Sequence, residues 1–343
     1  MTTAPVKLAV IGAGRAGLLH AVNAQRWVGA TELACIVDAD PVTREKSSAE
    51  LGVPGFETFE EAEGRASFDA VVITTPTSTH CDLSLAAAGA CKHIFCEKPM
   101  ALTLEECDRM AAACEKAGVV LQIGFVRRFQ PEFVEAKRRV DAGEIGRPML
   151  VKSLTRGPGL PPAWAHDIQR SNGLLAEVNS HDFDSVRWLA GSEIERVYVE
   201  TANFKGAERG VTAAGFYDNA IVSLRMASGA LGMVDGACPA DYGYDARAEI
   251  LGTEGMILIG DNRSLALLQA RSRGSGEIAT YSSWPERFEP AYREELRHFA
   301  EVITNGGKAA VGAADGRAAV AAVLAANRSW QEERPVRIPG EDL

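Results

Sequence analysis

Glu177 and His181 are four residues apart, and Asp184 follows three residues after the histidine. On a helix, residues at these spacings share one face. A histidine beside a carboxylate titrates near neutral pH and can act as a general base. The same pair could be half of a metal site, but no third ligand follows at a fitting spacing, so we predict no metal. A surface histidine with a satisfied carboxylate neighbour is an equal alternative on this motif alone.

A second cluster, Glu97-Lys98-Pro99, follows an apolar run. A lysine at the end of a buried strand can stabilise a developing alkoxide, or move a proton if burial lowers its pKa. On its own, such a lysine is more often simply solvated. A third cluster runs from Thr74 to His80 after another apolar run, and its small hydroxyl residues could line a cofactor or cap a helix.

The elements that would position these residues begin with the strand Val6–Ile11 and the glycines that follow it. Gly12, Gly14 and Gly17 have the spacing G-x-G-x-x-G. In a dinucleotide-binding turn, the first glycine permits the tight turn, the second lets a pyrophosphate approach, and the third allows close helix packing. The helix N-terminus then offers free N–H groups to the phosphates. A glycine-rich turn in another α/β domain is the less favoured alternative.

A second apolar strand ends at Asp38, where a carboxylate can accept hydrogen bonds from ribose hydroxyls. A carboxylate there also repels a 2′-phosphate, so Asp38 favours NAD over NADP. Arg44 is the nearest cation, and we expect it on the following helix.

Whole-chain properties limit the classes of function. The formal net charge of −10 argues against nucleic acids and anionic membranes as partners, and no apolar run is long enough to span a bilayer. We find no signal peptide pattern at the N-terminus. Seven cysteines, an odd number without a C-x-x-C pair, predict a reducing cytoplasm.

The order of elements predicts two domains. Strands and helices alternate through residues 1–125, which is typical of a doubly wound parallel sheet, an α/β Rossmann domain. Residues 126–343 contain a predicted helix from about Leu174 to Leu189 and then consecutive strands, including one at 265–269, which indicate an α+β domain with a large, mainly antiparallel sheet. We expect the alanine-rich C-terminal helix to pack back towards the first domain.

Taken together, the glycine-rich turn, Thr75–His80, Glu97-Lys98-Pro99 and Gly173–Asp184 resemble the Gfo/Idh/MocA oxidoreductase family over nearly the full length. The resemblance implies that Lys98 contacts both the nicotinamide side and the substrate hydroxyl, that Glu177 contacts substrate, and that His181 is the acid/base. The family usually has aspartate where this chain has Glu177, and glycine is common where it has Asn179. The longer acid displaces its carboxylate by about 1.5 Å, which concerns the substrate more than the chemistry.

Within the family, segments 124–131, 227–232 and 241–247 look most like inositol 2-dehydrogenases. By this resemblance Arg127, Asn179 and Tyr242 are candidates for polyol contacts. Each has a plain alternative, namely a salt bridge for Arg127, a solvent-facing helix position for Asn179 and a packed loop aromatic for Tyr242. The predicted NAD contacts are Gly12, Gly14, Arg15, Ala16, Asp38, Thr75, Pro76, Thr77, His80, Glu97, Lys98 and Gln122.

These features predict an NAD-dependent dehydrogenase of a cyclic polyol, with His181 as base and Lys98 stabilising the alkoxide. A pyranose or glycoside dehydrogenase, a glycosidase that recycles bound NAD, and a non-catalytic NAD sensor are the alternatives. An open sheet face that must be covered predicts a homo-oligomer, either a dimer or a tetramer.

Overall fold

The computed structural model describes residues 4–260 and 281–338 of the chain. The chain divides into two units, Met1–Phe129 with Glu289–Arg317, and Gln130–Phe288 with Ala318–Leu343. The predicted strand at 265–269 lies outside the described residues.

The first unit is built on a parallel sheet of six strands in the order β3-β2-β1-β4-β5-β6. This is the doubly wound order in which the direction of winding reverses between β1 and β4, and ligands bind at such a point. The strands are β1 (Val6–Ile11), β2 (Thr31–Val37), β3 (Gly55–Phe56), β4 (Ala70–Ile73), β5 (His93–Glu97) and β6 (Leu121–Gly124). The Rossmann prediction is confirmed.

Helices of this unit start and stop where local sequence signals them. Asp40 caps α2 and Thr103 forms a capping box on α5, while Gly52 and Gly118 end these helices in the left-handed conformation. The helices are α1 (Arg15–Arg26), α2 (Pro41–Leu51), α3 (Phe59–Arg65), α4 (His80–Gly89) and α5 (Leu104–Ala117).

The second unit holds a seven-stranded sheet in the order β12-β11-β7-β10-β9-β8-β13. Every pair is antiparallel except β7 with β10. The predicted mainly antiparallel α+β domain is therefore confirmed. Its strands are β7 (Pro148–Arg156), β8 (Ile194–Ala202), β9 (Asn219–Met226), β10 (Leu231–Ala237), β11 (Asp245–Gly252), β12 (Met256–Ile259) and β13 (Val336–Arg337).

The helices after β6 are α6 (Pro131–Asp141), α7 (Ile168–Ser171), α8 (Gly173–Glu177), α9 (Ser180–Ala190), α10 (Lys205–Glu208), α11 (Trp284–Asn305) and α12 (Ala313–Glu332). The single helix predicted from about Leu174 to Leu189 is wrong, because the chain forms α8 and α9 with a break at Val178 and Asn179. The physical reason is local: Asn179 is buried and its side chain donates to Asp182, three residues later, a bond of the kind that competes with a continuous helix.

Helix α11 bends at Phe288, two residues before Pro290. A proline removes a backbone donor and clashes with the preceding turn, which explains a bend there. After the bend, Leu296, Phe299 and Ala300 are buried in the core of the first unit with residues of β1 and β5. Contacts therefore group residues 289–317 with the Rossmann sheet, whereas the order of elements predicts that all residues after 125 belong to the second domain. The chain order could not reveal this return.

All seven cysteines are free thiols, and six of them are buried. Burial raises the pKa of Cys35 and of Cys107 to about 12 and that of Cys114 to about 11. These thiols therefore act as small apolar side chains. Across residues 4–260 and 281–338, no helix has the length and apolar character that a membrane span requires.

Candidate active site

The glycine-rich turn between β1 and α1 is shaped by close backbone contacts. Gly12 has φ +91°, a conformation that favours glycine. A Cβ on Gly17 would lie 1.8 Å from the carbonyl oxygen of Gly12, so only glycine lets α1 begin this close to the turn. Thr74, at the end of β4, donates from Oγ1 to the same carbonyl oxygen at 2.6 Å. The turn is thus held in place by the neighbouring strand end.

The turn has room for a phosphate group. A Cβ on Gly14 would meet no heavy atom within 4 Å, and both Gly14 and Arg15 are exposed at the start of α1. The first N–H groups of a helix lack partners within it and favour a negative ligand. Gly12, Gly14, Arg15 and Ala16 are therefore suited to hold the pyrophosphate of a dinucleotide.

Asp38 follows β2 at the same edge of the sheet. Its Oδ2 accepts a hydrogen bond from the backbone N–H of Ala13 at 2.7 Å, and its Oδ1 accepts one from Asp40 at 2.9 Å. These bonds fix a carboxylate beside the turn, as ribose recognition requires. Arg44 lies on α2 as expected, and it donates to the carbonyl oxygen of Asp38 at 2.7 Å.

His80 connects the loops that follow β4 and β5. Its ring nitrogens lie 2.9 Å from the carbonyl oxygen of Thr75 and 2.9 Å from that of Pro99. Burial lowers the pKa of His80, against a smaller opposite effect of the two carbonyl oxygens. The ring therefore braces Thr75, Pro76 and Thr77 against the loop that carries Lys98. Of these three, Pro76 is exposed and Thr77 is buried.

Lys98 leaves the carboxyl end of β5 and is half-buried. The structure thus brings Lys98, the glycine-rich turn and the Thr75 loop to one edge of the first unit's sheet, as predicted. Glu97 is buried instead, and its Oε1 lies 2.8 Å from Nε2 of His20. Gln122 is fully buried and donates from Nε2 to the backbone carbonyl of Glu295 at 2.9 Å. The observed contacts of Glu97 and Gln122 therefore lie in the interior of the unit.

Arg127 follows β6 in a short 3₁₀ turn and is 1% exposed. A guanidinium is rarely buried so completely unless it is paired. Its position directly after the sheet edge that carries Lys98 is compatible with the predicted polyol contact.

In the second unit, Glu177 is the last residue of α8 and His181 lies in the first turn of α9. His181 is 9% exposed and Glu177 is half-buried. Because of the break at Val178 and Asn179, the two residues do not share the face of one regular helix. Asp184, three residues after His181 on α9, is buried.

Asn179 is fully buried, so it does not face solvent. Its Nδ2 donates to Oδ2 of Asp182 at 2.7 Å, and Asp182 also accepts hydrogen bonds from Ser153 and Thr155 of β7, both at 2.6 Å. A Cβ on Gly236 of β10 would lie 2.0 Å from Asn179 Oδ1, so glycine is required there. This network attaches the start of α9, and therefore His181, to the sheet.

Tyr242 lies on the other face of that sheet. Its hydroxyl donates to Asp245 at 2.8 Å, and it lines a groove of ≈ 680 Å³ with Arg156 and Asp235, which form an ion pair. Burial and the nearby Asp245 raise the pKa of Tyr242. Ser153 and Thr155 face α9, whereas Arg156 points away from it, so the sheet separates Tyr242 from α9.

Three residues that support the site were not singled out from sequence. Asp182 anchors α9, and His20 and Glu295 surround Glu97. For Glu295 a signal existed, because an acid occurs among Tyr292, Leu296 and Phe299 on the apolar face of a helix. For Asp182 and His20 the partners are distant in sequence, so only the fold identifies them.

Comparison with known proteins now identifies the family. Residues 6–125 match the family described as "Oxidoreductase family, NAD-binding Rossmann fold", and residues 133–258 match the "GFO/IDH/MocA C-terminal domain". The scyllo-inositol 2-dehydrogenase (NAD(+)) of Bacillus subtilis (strain 168) is 38% identical to the chain, covering 97% of the chain and 96% of that protein. The chain belongs to the Gfo/Idh/MocA oxidoreductase family. Its first unit is accordingly the NAD-binding domain, and the predicted cofactor is confirmed.

Other Gfo/Idh/MocA relatives agree over similar lengths. The myo-inositol 2-dehydrogenase of Thermotoga maritima is 35% identical, covering 97% of this chain and 98% of that protein. The solved structure of a scyllo-inositol dehydrogenase from Lactobacillus casei, with bound NAD(H) and scyllo-inositol, aligns with a TM-score of 0.86 at 26% identity and covers 98% of this chain and 100% of that chain.

Proposed function

We propose that this Gfo/Idh/MocA protein oxidises one ring hydroxyl of an inositol to a ketone and transfers the hydride to NAD. The observation that carries the proposal is full-length similarity to inositol 2-dehydrogenases. Three of them, from B. subtilis, T. maritima and Rhizobium meliloti, are 38%, 35% and 34% identical to this chain, and each match covers 97% of it. The NAD-binding edge of the first unit supplies the physical support.

Lys98 is proposed to stabilise the substrate oxygen as its negative charge develops. An alcohol is a very weak acid, so a fixed cation at the oxygen addresses the main barrier to its oxidation. The position of Lys98 supports this role, because it follows β5 at the same sheet edge as the glycine-rich turn, the proposed site of the NAD pyrophosphate. When bound, NAD accepts the hydride, and the protein supplies positioning and charge.

His181 is proposed to take the hydroxyl proton, and Glu177 to orient the substrate or the imidazole. The network of Asn179, Asp182, Ser153 and Thr155 supports a fixed position for His181 in the first turn of α9. Arg127 remains a proposed polyol contact. The observed bonds of Asn179 and Tyr242 favour structural roles for both residues over their predicted contacts with substrate.

We further propose that the enzyme is a cytoplasmic homo-oligomer. Seven free cysteines support a reducing compartment. An apolar row supports oligomerisation. Met256, Leu251, Leu150 and Leu231 lie in register across β12, β11, β7 and β10 on the sheet face opposite α9. Met256 is 39% exposed and Leu231 is 46% exposed.

The experiment is to follow NADH absorbance with purified protein, NAD and a panel of inositols, pyranoses and glycosides. We expect NADH with myo- or scyllo-inositol. Lys98→Met and His181→Asn should each lower the rate at least about 100-fold, because each removes charge stabilisation or proton transfer. Both variants should still bind NAD.

The alternatives give different results in the same assay. NADH only with a pyranose or glycoside would contradict the inositol assignment and implicate Glu177, where the family usually has aspartate. Release of free sugar without net NADH would indicate a glycosidase that recycles NAD. Tight NAD binding without turnover of any panel member in either direction would indicate a sensor.

A further inference from the structure

Behind Lys98 lies a buried cluster of three ionisable residues, His20 of α1, Glu97 of β5 and Glu295 of α11. One ligand-type atom from each lies within 4.8 Å of those of the other two. His20 and Glu295 are 0% exposed and Glu97 is 7% exposed. All three belong to the first unit. We call this set the Glu97 cluster.

The two carboxyl groups of the Glu97 cluster differ in their partners. Both oxygens of Glu97 are bonded, Oε1 to His20 at 2.8 Å and Oε2 to the backbone N–H of Lys98 at 3.1 Å. Among the described residues, the carboxyl oxygens of Glu295 have no hydrogen-bond partner. Burial raises the pKa of Glu295 well above its ordinary value, and the charge of Glu97 raises it further.

Two ionised carboxylates this close in a buried site would repel each other strongly. One bound proton or one bound cation would remove this repulsion between Glu97 and Glu295. Glu97 already has the bonds of a carboxylate, because it accepts from the Lys98 amide and lies 2.8 Å from Nε2 of His20, which donates to it in the Nε2–H tautomer. Glu295 lacks such donors. The proton therefore belongs on Glu295.

We propose that Glu295 is a positioning residue, held as an uncharged carboxylic acid so that a single negative charge stays on Glu97. That charge then fixes the backbone at Lys98 through the N–H bond, while His20 holds the other oxygen. In this role the O–H of Glu295 donates to Glu97, because the gap between the two carboxyl groups, within 4.8 Å, is one that a side-chain rotation or a bridging water closes. Glu97 has little freedom to turn, since it is buried and both of its oxygens are within hydrogen-bond distance of partners. The inference rests on the proposed role of Lys98.

Other titratable groups surround the cluster and must be considered in any pH experiment. Tyr292 of α11 packs edge-on against His20, with ring centroids 5.6 Å apart, and β6 contributes only the uncharged Gln122. The electrostatic neighbours of Glu97 on and near β5 are Cys96, Lys98 and His80. Comparing variants of Glu295 alone cancels the effects of these groups.

The test is to compare the melting temperatures of wild type and E295Q from pH 5.5 to 8.5. Unfolding lets Glu295 ionise above its ordinary pKa of about 4.3, so the folded protein binds one more proton than the unfolded chain. The contribution of Glu295 to wild-type stability should therefore fall as pH rises, until the pH reaches the raised pKa of Glu295 in the folded protein. Glutamine keeps the shape of the Glu295 side chain but has no carboxyl proton to lose. The Tm of E295Q minus that of wild type should rise steadily with pH.

The matched control is E294Q, which changes the half-exposed neighbour on the same helix and should show no such rise. A difference for E295Q that stays constant or falls with pH would overturn the proposal. So would one equivalent of bound divalent metal in the purified protein, because a cation would then replace the proton. This thermal readout needs no substrate, so failure of the proposed function would not be mistaken for failure of this inference.

A kinetic comparison tests the positioning role. E295L removes the O–H that donates to Glu97, and we expect kcat to fall at least tenfold with an unchanged Kd for NAD, whereas E295Q, whose amide N–H can donate instead, keeps most of the activity. Equal kcat for E295L and wild type would overturn the positioning role. If E295L fails to fold, the same comparison is made with E295M, and the pH series of E295Q stands independently.

Discussion

At the scale of single residues, the proposed preference for NAD rests on how Asp38 is fixed. Its two carboxylate oxygens accept hydrogen bonds from the backbone N–H groups of Ala13 and Asp40. The negative charge of Asp38 is therefore held beside the glycine-rich turn. Arg44, the nearest cation, donates to the Asp38 carbonyl oxygen. The Arg44 guanidinium, which would favour a 2′-phosphate, is thus hydrogen-bonded to the backbone of Asp38, whose carboxylate disfavours one.

Asp38→Ala should lower the ratio of kcat/KM for NAD to that for NADP by about 10- to 100-fold. Hydrogen bonds to a charged group contribute about 1.5–3 kcal/mol, and removing the carboxylate also removes its repulsion of the 2′-phosphate. Steady-state kinetics with both cofactors measures the ratio. Glu32→Ala, which removes an exposed acid from the same strand, is the control. An unchanged ratio in Asp38→Ala would contradict the assignment.

That the proposed NAD contacts lie together at one sheet edge was predictable, because each belongs to a local signal. Gly12, Gly14 and Gly17 follow a strand, and Lys98 ends one, so the parallel sheet places them at one edge. Glu97 was harder to interpret. Its side chain points to His20, which lies 77 positions earlier in the sequence. The alternation of side chains along a strand indicates that a residue is buried, but it does not identify the residues that it contacts in the interior.

At the scale of elements, the break between α8 and α9 decides how His181 is presented. The sequence favoured one helix, because residues 174–189 contain neither proline nor an internal glycine. Helix spacing alone cannot reveal that Asn179 bonds to Asp182 and is enclosed by β10. Tertiary contacts outweigh local propensity here, since a buried amide that lost its partners would cost about 1–3 kcal/mol.

Asn179→Asp should lower the free energy of unfolding by at least about 2 kcal/mol, because it places a second carboxylate against Asp182 in a buried site. Denaturant unfolding at pH 7 measures the effect. The variant should also lower kcat, since the network holds the start of α9.

Asn203→Asp is the matched control for that substitution. Asn203 is exposed and its side chain accepts a hydrogen bond from the N–H of Ala207 in α10, a position that tolerates an acid. The free energy of unfolding of Asn203→Asp should stay within about 0.5 kcal/mol of that of wild type. Equal stability of the two variants would show that the Asn179 network does not hold α9.

At the scale of the whole molecule, the sequence predicted the two kinds of sheet but not the path of the chain. The change from alternating helices and strands to consecutive strands is visible in the hydrophobic pattern. The return of α11 to the first unit is not, because amphipathicity shows that a helix has an apolar face without showing which core receives it. Leu296 and Phe299 join the core of β1 and β5, which lie 285 to 293 and 199 to 206 residues earlier in the sequence, respectively.

The apolar row on the second unit's sheet gives a prediction for the assembly. Leu231→Glu introduces a charge into that row and should convert the oligomer to a smaller species, because a carboxylate buried at an interface has no partner there. Light scattering during size-exclusion chromatography measures the mass. Val42→Glu, which alters an apolar residue of α2 that is 73% exposed, is the control. A monomeric wild type, or an unchanged mass for Leu231→Glu, would contradict the proposal.

A deuterium label followed through the NADH assay shows directly whether a ring carbon of the inositol gives its hydride to NAD. The protein is incubated with NAD and an inositol deuterated at every ring carbon, and the reduced cofactor is analysed by mass spectrometry. Oxidation of a ring hydroxyl predicts one deuterium in each reduced cofactor formed, together with one ketone. Reduced cofactor without deuterium, or turnover of glycosides alone with no net reduced cofactor, would contradict the proposal.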